Sequence, residues 1–295
     1  MSSQELLVAG SIALDEIEGS FGWRVNELGG SALYFALAAS LIRPVRIVAP
    51  VGSDAVHLVS KAVAQRPIDE DTVQMLDAPT YRWHARQVEG RNQDLGSKDS
   101  IYDIWKPAVP DGFSGWAFVG SMRPDRQAEM TRLLAGAKLL AADAMVSYVT
   151  ALPDDASTVV SQVDWYFCNH EEFAAFGGGD PAEFRSRWEL EGLVLKSGPG
   201  GVQAFSEGTA TYVPALQGTP VVDTTGAGDA LAGGMLARWL ETGGTPDGLV
   251  DAMVWGVACA SIAISGVGLA GLLAATPESL RVKVIEVETF LHRAS

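Results

Sequence analysis

The chain has 295 residues, of which 47% are hydrophobic and 19% charged, a globular balance long enough to bury a substantial core and too apolar for a disordered chain. Its formal net charge is −15, from 36 acidic against 21 basic residues. A field of that sign repels phosphate backbones and anionic lipid, which argues against nucleic acid and membrane surfaces as partners. No apolar stretch reaches the roughly 20 residues that a bilayer span needs. The opening segment, MSSQELLVAG, carries Glu5 and no basic residue, so a cytoplasmic protein is expected. Cys168 and Cys259, the only cysteines, each sit in an apolar run and read as buried, reduced thiols.

Short apolar runs alternate with longer helical ones along the chain. Residues 6–9 predict a buried strand, which runs into Gly10-Ser11 and, shortly after, Asp15. Gly29-Gly30 precede an Ala-rich helix over 31–42, and 46–51 form a second strand followed by Gly52-Ser53-Asp54. Residues 81–88 break the rhythm. They alternate, with Tyr81, Trp83, Ala85 and Gln87 on one face and Arg82, His84, Arg86 and Val88 on the other, as in a half-exposed strand of a secondary sheet. Residues 91–103 read as a polar loop and 107–115 as a Pro/Gly-rich return.

Further strands follow at 116–119, 138–142, 164–168 and 193–196, with helices over 126–137 and 181–191 between them. Continuous apolar strands alternating with helices predict an α/β fold, a doubly wound and mostly parallel central sheet flanked by helices. In such sheets ligands sit beyond the carboxyl ends of the strands. The polar residues that follow these strands are therefore the candidates for chemistry: Asp15, Asp143, Asn169 with Glu172, and Lys196 with the turn Gly198-Pro199-Gly200. Each has a plainer reading, as a strand-end acid, a helix cap or an ordinary turn.

Near the C-terminal end stands Asp223-Thr224-Thr225-Gly226-Ala227-Gly228-Asp229, followed by a segment of helical composition. Gly226 and Gly228 let the backbone approach a ligand closely. Unpaired N–H groups at the helix N-terminus then suit an anion such as a transferring phosphoryl group. Asp229, in the first turn, would stand where a substrate hydroxyl could give up its proton. An ordinary helix-capping acid is the alternative. There is no Walker A string, no Gly-x-Gly-x-x-Gly opens the first helix, and His57, His84, His170 and His292 lack metal-ligand spacing; these absences set aside P-loop and Rossmann dehydrogenase readings.

The 223–229 string resembles the C-terminal signature of the ribokinase-like (PfkB-type) carbohydrate kinases. The resemblance extends through Gly10-Ser11 with Asp15, Gly29-Gly30, the Asn169/Glu172 pair and the Gly198 turn. It implies an ATP-dependent phosphotransferase in which Asp229 is the catalytic base and Gly226, Ala227 and Gly228 form the anion hole. By the same resemblance, Asp15, Gly29, Gly30 and Ser31 bind the substrate. ATP would lie across Asn169, Lys196, Gly198 and Gly200. Glu172 would hold Mg²⁺ through water, and Asp223 and Thr225 would line a monovalent-cation (K⁺) site.

Ribokinases proper carry Asn where Tyr34 stands and Lys where Ser31 stands, so ribose itself is not implied. Tyr34 reads as a core aromatic or as a stacking platform. One ribokinase-like domain over 1–295 is expected, with a small, reduced β lid from segments near 16–28 and 80–106. Arg82, Arg86 and Arg91 on the lid read as anion contacts or as a solvated basic edge. So short a lid either leaves the site open or calls for a second copy, as in a homodimer. The expected partner is a small sugar or sugar-like molecule. A nucleoside on the same fold, or a sugar- or nucleotide-binding regulator without activity, are the alternatives; an intact Asp229 argues against the last.

Overall fold

The computed structural model describes residues 5–88 and 90–294. Its strands in chain order are β1 (Leu6–Ala9), β2 (Ala13–Gly19), β3 (Gly22–Gly29), β4 (Val45–Gly52), β5 (Ile68–Asp69), β6 (Val73–Leu76), β7 (Arg82–Val88), β8 (Arg91–Lys98), β9 (Trp116–Val119), β10 (Leu139–Ala142), β11 (Trp165–Asn169), β12 (Gly192–Lys196), β13 (Val202–Ser206) and β14 (Thr209–Val213). The large sheet runs β14-β13-β12-β11-β10-β9-β1-β4-β5, with β6 also paired to β4. It is parallel except at β13 and β14, which close one edge as an antiparallel hairpin.

The continuous apolar runs follow from burial on both faces. Leu6 and Val8 of β1 point into one core while Leu7 and Ala9 point into the other. Trp116 and Phe118 of β9 divide from Ala117 and Val119 in the same way. The first core is completed by the helices Ser31–Ala39, Ala227–Glu241 and Leu249–Ala263, and the second by Pro124–Leu133 and Pro153–Val160.

A second sheet, ordered β3-β2-β7-β8, stands over the carboxyl ends of the central strands. Two expectations change here. Residues 91–98, read as polar loop, form β8 paired antiparallel to β7. The lid segment near 16–28, expected to be reduced, is a complete antiparallel hairpin, β2 with β3. Neither strand announces itself, because β3 is exposed along most of its length and β8 is polar. The alternation over 81–88 holds: Tyr81 and Ala85 are buried, whereas His84, Arg86 and Val88 are exposed.

On the outer face of this lid, Arg82 binds Asp54 at 3.2 Å and Arg86 binds Glu18 at 2.8 Å. Both guanidinium groups thus pair with carboxylates and leave the anion-contact reading unsupported; the side chain of Arg91 lies outside the described residues. Asp54 also accepts from the N–H of Thr80, and Thr80 Oγ1 donates to the same carboxylate. That tie joins the end of β4 to the start of the second lid hairpin. Among the described residues, no helix is long and apolar enough to cross a membrane.

Candidate active site

The loops that leave β1, β9, β10, β11 and β12 border one cavity of about 530 Å³, closed from above by the lid and from the side by the 225–229 turn. Of the residues singled out from the sequence, Asp15, Gly30, Ser31, Asn169, Glu172, Lys196, Gly198, Thr225, Gly226, Gly228 and Asp229 all line it. Gly29 stands behind Asp15, and Ala227 is the first residue of the helix Ala227–Glu241. Gly200 ends the short 3-10 turn Gly198–Gly200 away from the lining. Asp223 is buried beneath the loop at 1% exposure.

The floor is built from two serines. Ser31 Oγ accepts from the N–H of Ser11 and donates to the carbonyl of Ser121, while Ser11 Oγ accepts from the N–H of Ser31. The Ser31 hydroxyl, expected to meet substrate, is therefore engaged in joining three loops. Gly30 adopts φ 99° as N-cap of the helix Ser31–Ala39, where an added Cβ would run into the Ser11 carbonyl. Only glycine combines that backbone with that approach.

Asp15 sits on β2, 3% exposed, with Oδ1 buried and unpartnered. Burial, then the charges of Asp223 and Glu27, push its carboxyl up to about 8, against a lowering contribution from a Trp83 backbone hydrogen bond. The resemblance gives Asp15 a substrate-binding role; a shift in this direction favours the neutral acid, which donates as well as accepts. Tyr34 is 1% exposed, packed beneath Gly226, and its hydroxyl is buried without a partner at the cavity wall. Its ring supports the glycine turn while its polar tip remains available.

The Gly226 turn takes the left-handed conformation, φ 71°, and caps the helix Ala227–Glu241. Asp229 follows in the first turn, with Oδ1 enclosed and unpartnered. Lys196, at the end of β12, lies against Gly228 and places Nζ 3.5 Å from Asp143 Oδ2. Burial disfavours its charge, but Asp143, Glu172 and Asp229 outweigh that and hold it as an ammonium. Burial pushes the carboxyls of Asp143 and Asp229 up, and Lys196 opposes the shift in both. Asp143, undecided from sequence, is thus part of the electrostatic centre of the site.

Asn169 and Glu172 form a capping box at the helix His170–Ala175. Asn169 Oδ1 accepts from the N–H groups of Glu171 and Glu172, and both carboxylate oxygens of Glu172 accept from Asn169. The plain capping reading is therefore realised. Burial first, and the Asp143 charge in addition, push Glu172 up to about 7 against the pull of Lys196.

The fit of the implied ions differs between the two ends of the site. Among the described residues no three His, Cys, Asp or Glu side chains converge on a metal. Mg²⁺ needs only one or two carboxylates when waters and phosphates complete its shell, and the orphaned Oδ1 atoms of Asp143 and Asp229 suit it. A monovalent cation at Asp223 does not fit. The carboxylate already accepts from the N–H of Thr225, the N–H of Gly268 and the Nε2 of Gln87. Gln87 had no assigned role from sequence; its signal was an amide on the buried face of an alternating strand.

The pfkB family carbohydrate kinase description matches residues 113–275. A cytidine kinase of Thermococcus kodakarensis is 27% identical over 250 residues, 80% of this chain and 88% of the relative. In fold, the chain is similar to a nucleoside kinase of Burkholderia thailandensis in complex with inosine, with a TM-score of 0.77, 20% identity and coverage of 96% and 98% of the two chains. It is likewise similar to a fructokinase of Vibrio cholerae O395 with fructose, ADP and calcium ion bound, with a TM-score of 0.76, 18% identity and coverage of 96% and 100%. Since the matched stretch spans more than half of the chain and carries its glycine turn, lysine and capping pair, this chain belongs to the pfkB family of carbohydrate kinases.

Proposed function

We propose that this chain transfers the γ-phosphoryl group of ATP to a hydroxyl of a small sugar or sugar-like acceptor, with Asp229 as the base. The observation that carries the reading is the shared placement of the Asp229 carboxylate and the Gly226–Gly228 turn at one helix N-terminus. Asp15, with its Oδ1 unpartnered, and the unpartnered Tyr34 hydroxyl stand on the wall of the same cavity. These are the polar groups available to a polyhydroxylated acceptor.

In this reading, Asp15 and Tyr34 orient the acceptor, and Asp229 takes the hydroxyl proton as oxygen attacks phosphorus. A new O–P bond forms as the bond to the ADP oxygen breaks. N–H groups of the glycine turn and the Lys196 ammonium stabilise the charge carried by the transferring group. Asp143, through its unpartnered Oδ1, and Glu172, behind Asn169, would hold the waters of a bound Mg²⁺, which would neutralise charge on the donor phosphates. Lys196 also favours the ionised form of Asp229, the form that a base requires.

A nucleoside acceptor is the second reading. Tyr81 and Trp83 border the cavity beside Asn92 and Gln93, a combination of flat apolar walls and amides that suits a base. The cytidine kinase that covers most of this chain points the same way. A panel of sugars, polyols and nucleosides in an ATP-consumption assay separates the two. Ligand binding with no turnover on any of them would instead identify a binding protein and overturn the proposal.

A further inference from the structure

Gln87 and Asn92 are cross-strand partners near the tip of the hairpin formed by β7 and β8, and both reach across to the loop that leads into the glycine turn. Gln87 Nε2 donates to Asp223 Oδ1 at 2.5 Å and lies 3.4 Å from Thr224 Oγ1. Asn92 Nδ2 donates to Thr225 Oγ1 at 3.3 Å. Asp223 is almost fully buried, and the Gln87 contact adds to the two backbone N–H groups, from Thr225 at 2.9 Å and Gly268 at 2.8 Å, that already hold its carboxylate.

Three N–H donors aimed at one carboxylate compensate its charge by hydrogen bonding. A monovalent cation in the same place would meet the positive ends of those dipoles rather than a shell of oxygens. We infer that Gln87 is a positioning residue that orders the 223–226 loop from the lid, and that this amide does so in place of a monovalent cation. Trp83 and Asn92 of the same hairpin line the cavity. An acceptor seated against Trp83 and Asn92 therefore bears on the same hairpin that holds the loop cradling the phosphoryl group. The kinetic part of this inference rests on the proposed phosphotransfer; the structural part does not.

The test compares the unaltered protein with Gln87→Met, which keeps the bulk of the side chain and removes the donor. Asn92→Ala serves as a second variant, and both changes lie in a hairpin tip outside the core. Hydrogen exchange of the 222–229 backbone, measured without ligands, should be faster in Gln87→Met by about tenfold, the effect of losing one hydrogen bond to a charged group. Equal exchange in the two proteins would overturn the latch, whether or not the chain proves to be a kinase. On an accepted substrate, kcat of Gln87→Met should fall about tenfold while the acceptor KM stays within about twofold. Unaltered protein should turn over at the same rate, within about twofold, when tetramethylammonium chloride replaces potassium chloride at equal ionic strength. A strict potassium requirement would overturn the inference while leaving the phosphotransfer reading intact.

Discussion

The Lys196 ammonium stands 3.5 Å from the Asp143 carboxylate, with Asp143 buried and Lys196 half-buried on the wall of the cavity. Two further carboxyls, Glu172 and Asp229, act on the same lysine. Three acidic groups thus share one fixed cation in a largely buried cluster, where each charge influences its neighbours more than it would on the surface. The arrangement leaves a deficit of positive charge, which a divalent cation is suited to fill.

Replacing the lysine should expose that balance. Lys196→Met is expected to lower kcat/KM by about 10²–10³-fold, the usual effect of deleting one charge-stabilising group. Lys196 holds the Asp229 carboxyl down, so its loss should also move the acidic limb of the kcat–pH profile to higher pH. Steady-state rates across pH for both proteins check this, and an unmoved limb would separate Lys196 from the ionisation of Asp229.

Asp229→Asn keeps the size of the side chain and removes the carboxylate proposed as the base. Turnover should drop by about 10³-fold, within the range measured for general bases. Nucleotide affinity, followed by calorimetry, should change only a few-fold. Retention of most of kcat would transfer the role of base to another group.

Asp15 makes the folded state hold a proton. Its carboxyl is pushed from 3.8 up to about 8 on folding. Between those values the unfolded chain has released a proton that the native protein keeps, so stability falls as pH rises through that window. Glu172, pushed from 4.5 up to about 7, contributes a slope of the same sign. Thermal melting of the ligand-free protein should therefore show a smaller decline with pH for Asp15→Asn than for the unaltered chain. Parallel curves would place the Asp15 titration elsewhere.

Gly226→Ala meets two obstacles. The backbone sits at φ 71°, and an added methyl would enter the ring of Tyr34. A loss of about 1–3 kcal/mol is expected from strain of this kind, read by urea unfolding, together with reduced activity from a displaced turn. Made in a Tyr34→Ala background, the same substitution should still cost part of that difference if the backbone conformation matters, because the collision is gone and φ is unchanged. No loss in that background would assign the whole cost to the ring.

Some of this architecture was legible in the chain alone. The runs at Leu6–Ala9 and Trp116–Val119 declared themselves because a parallel strand covered on both faces must be apolar throughout. Once the strands were placed, the polar residues after them were gathered at one edge of the sheet by topology, and Asp15, Asn169, Lys196 and Asp229 do meet in one cavity. β3 and β8 gave no such signal, since an exposed strand has no apolar face to reveal. Gly200 shared its motif with Gly198 yet faces away, because a tight turn points neighbouring residues in different directions.

The amino-acid sequence by itself determined the order of the buried parallel strands and the helix N-terminus on which the glycine turn is built, because periodicity, caps and glycines act over a few residues. Only the tertiary structure decided that Gln87 reaches Asp223 and that Lys196 lies among three carboxyls. The burial that pushes the Asp15 carboxyl up was decided there as well. Those outcomes depend on distance and desolvation between segments far apart in the chain, and such quantities exist only once the sheet and its lid have come together.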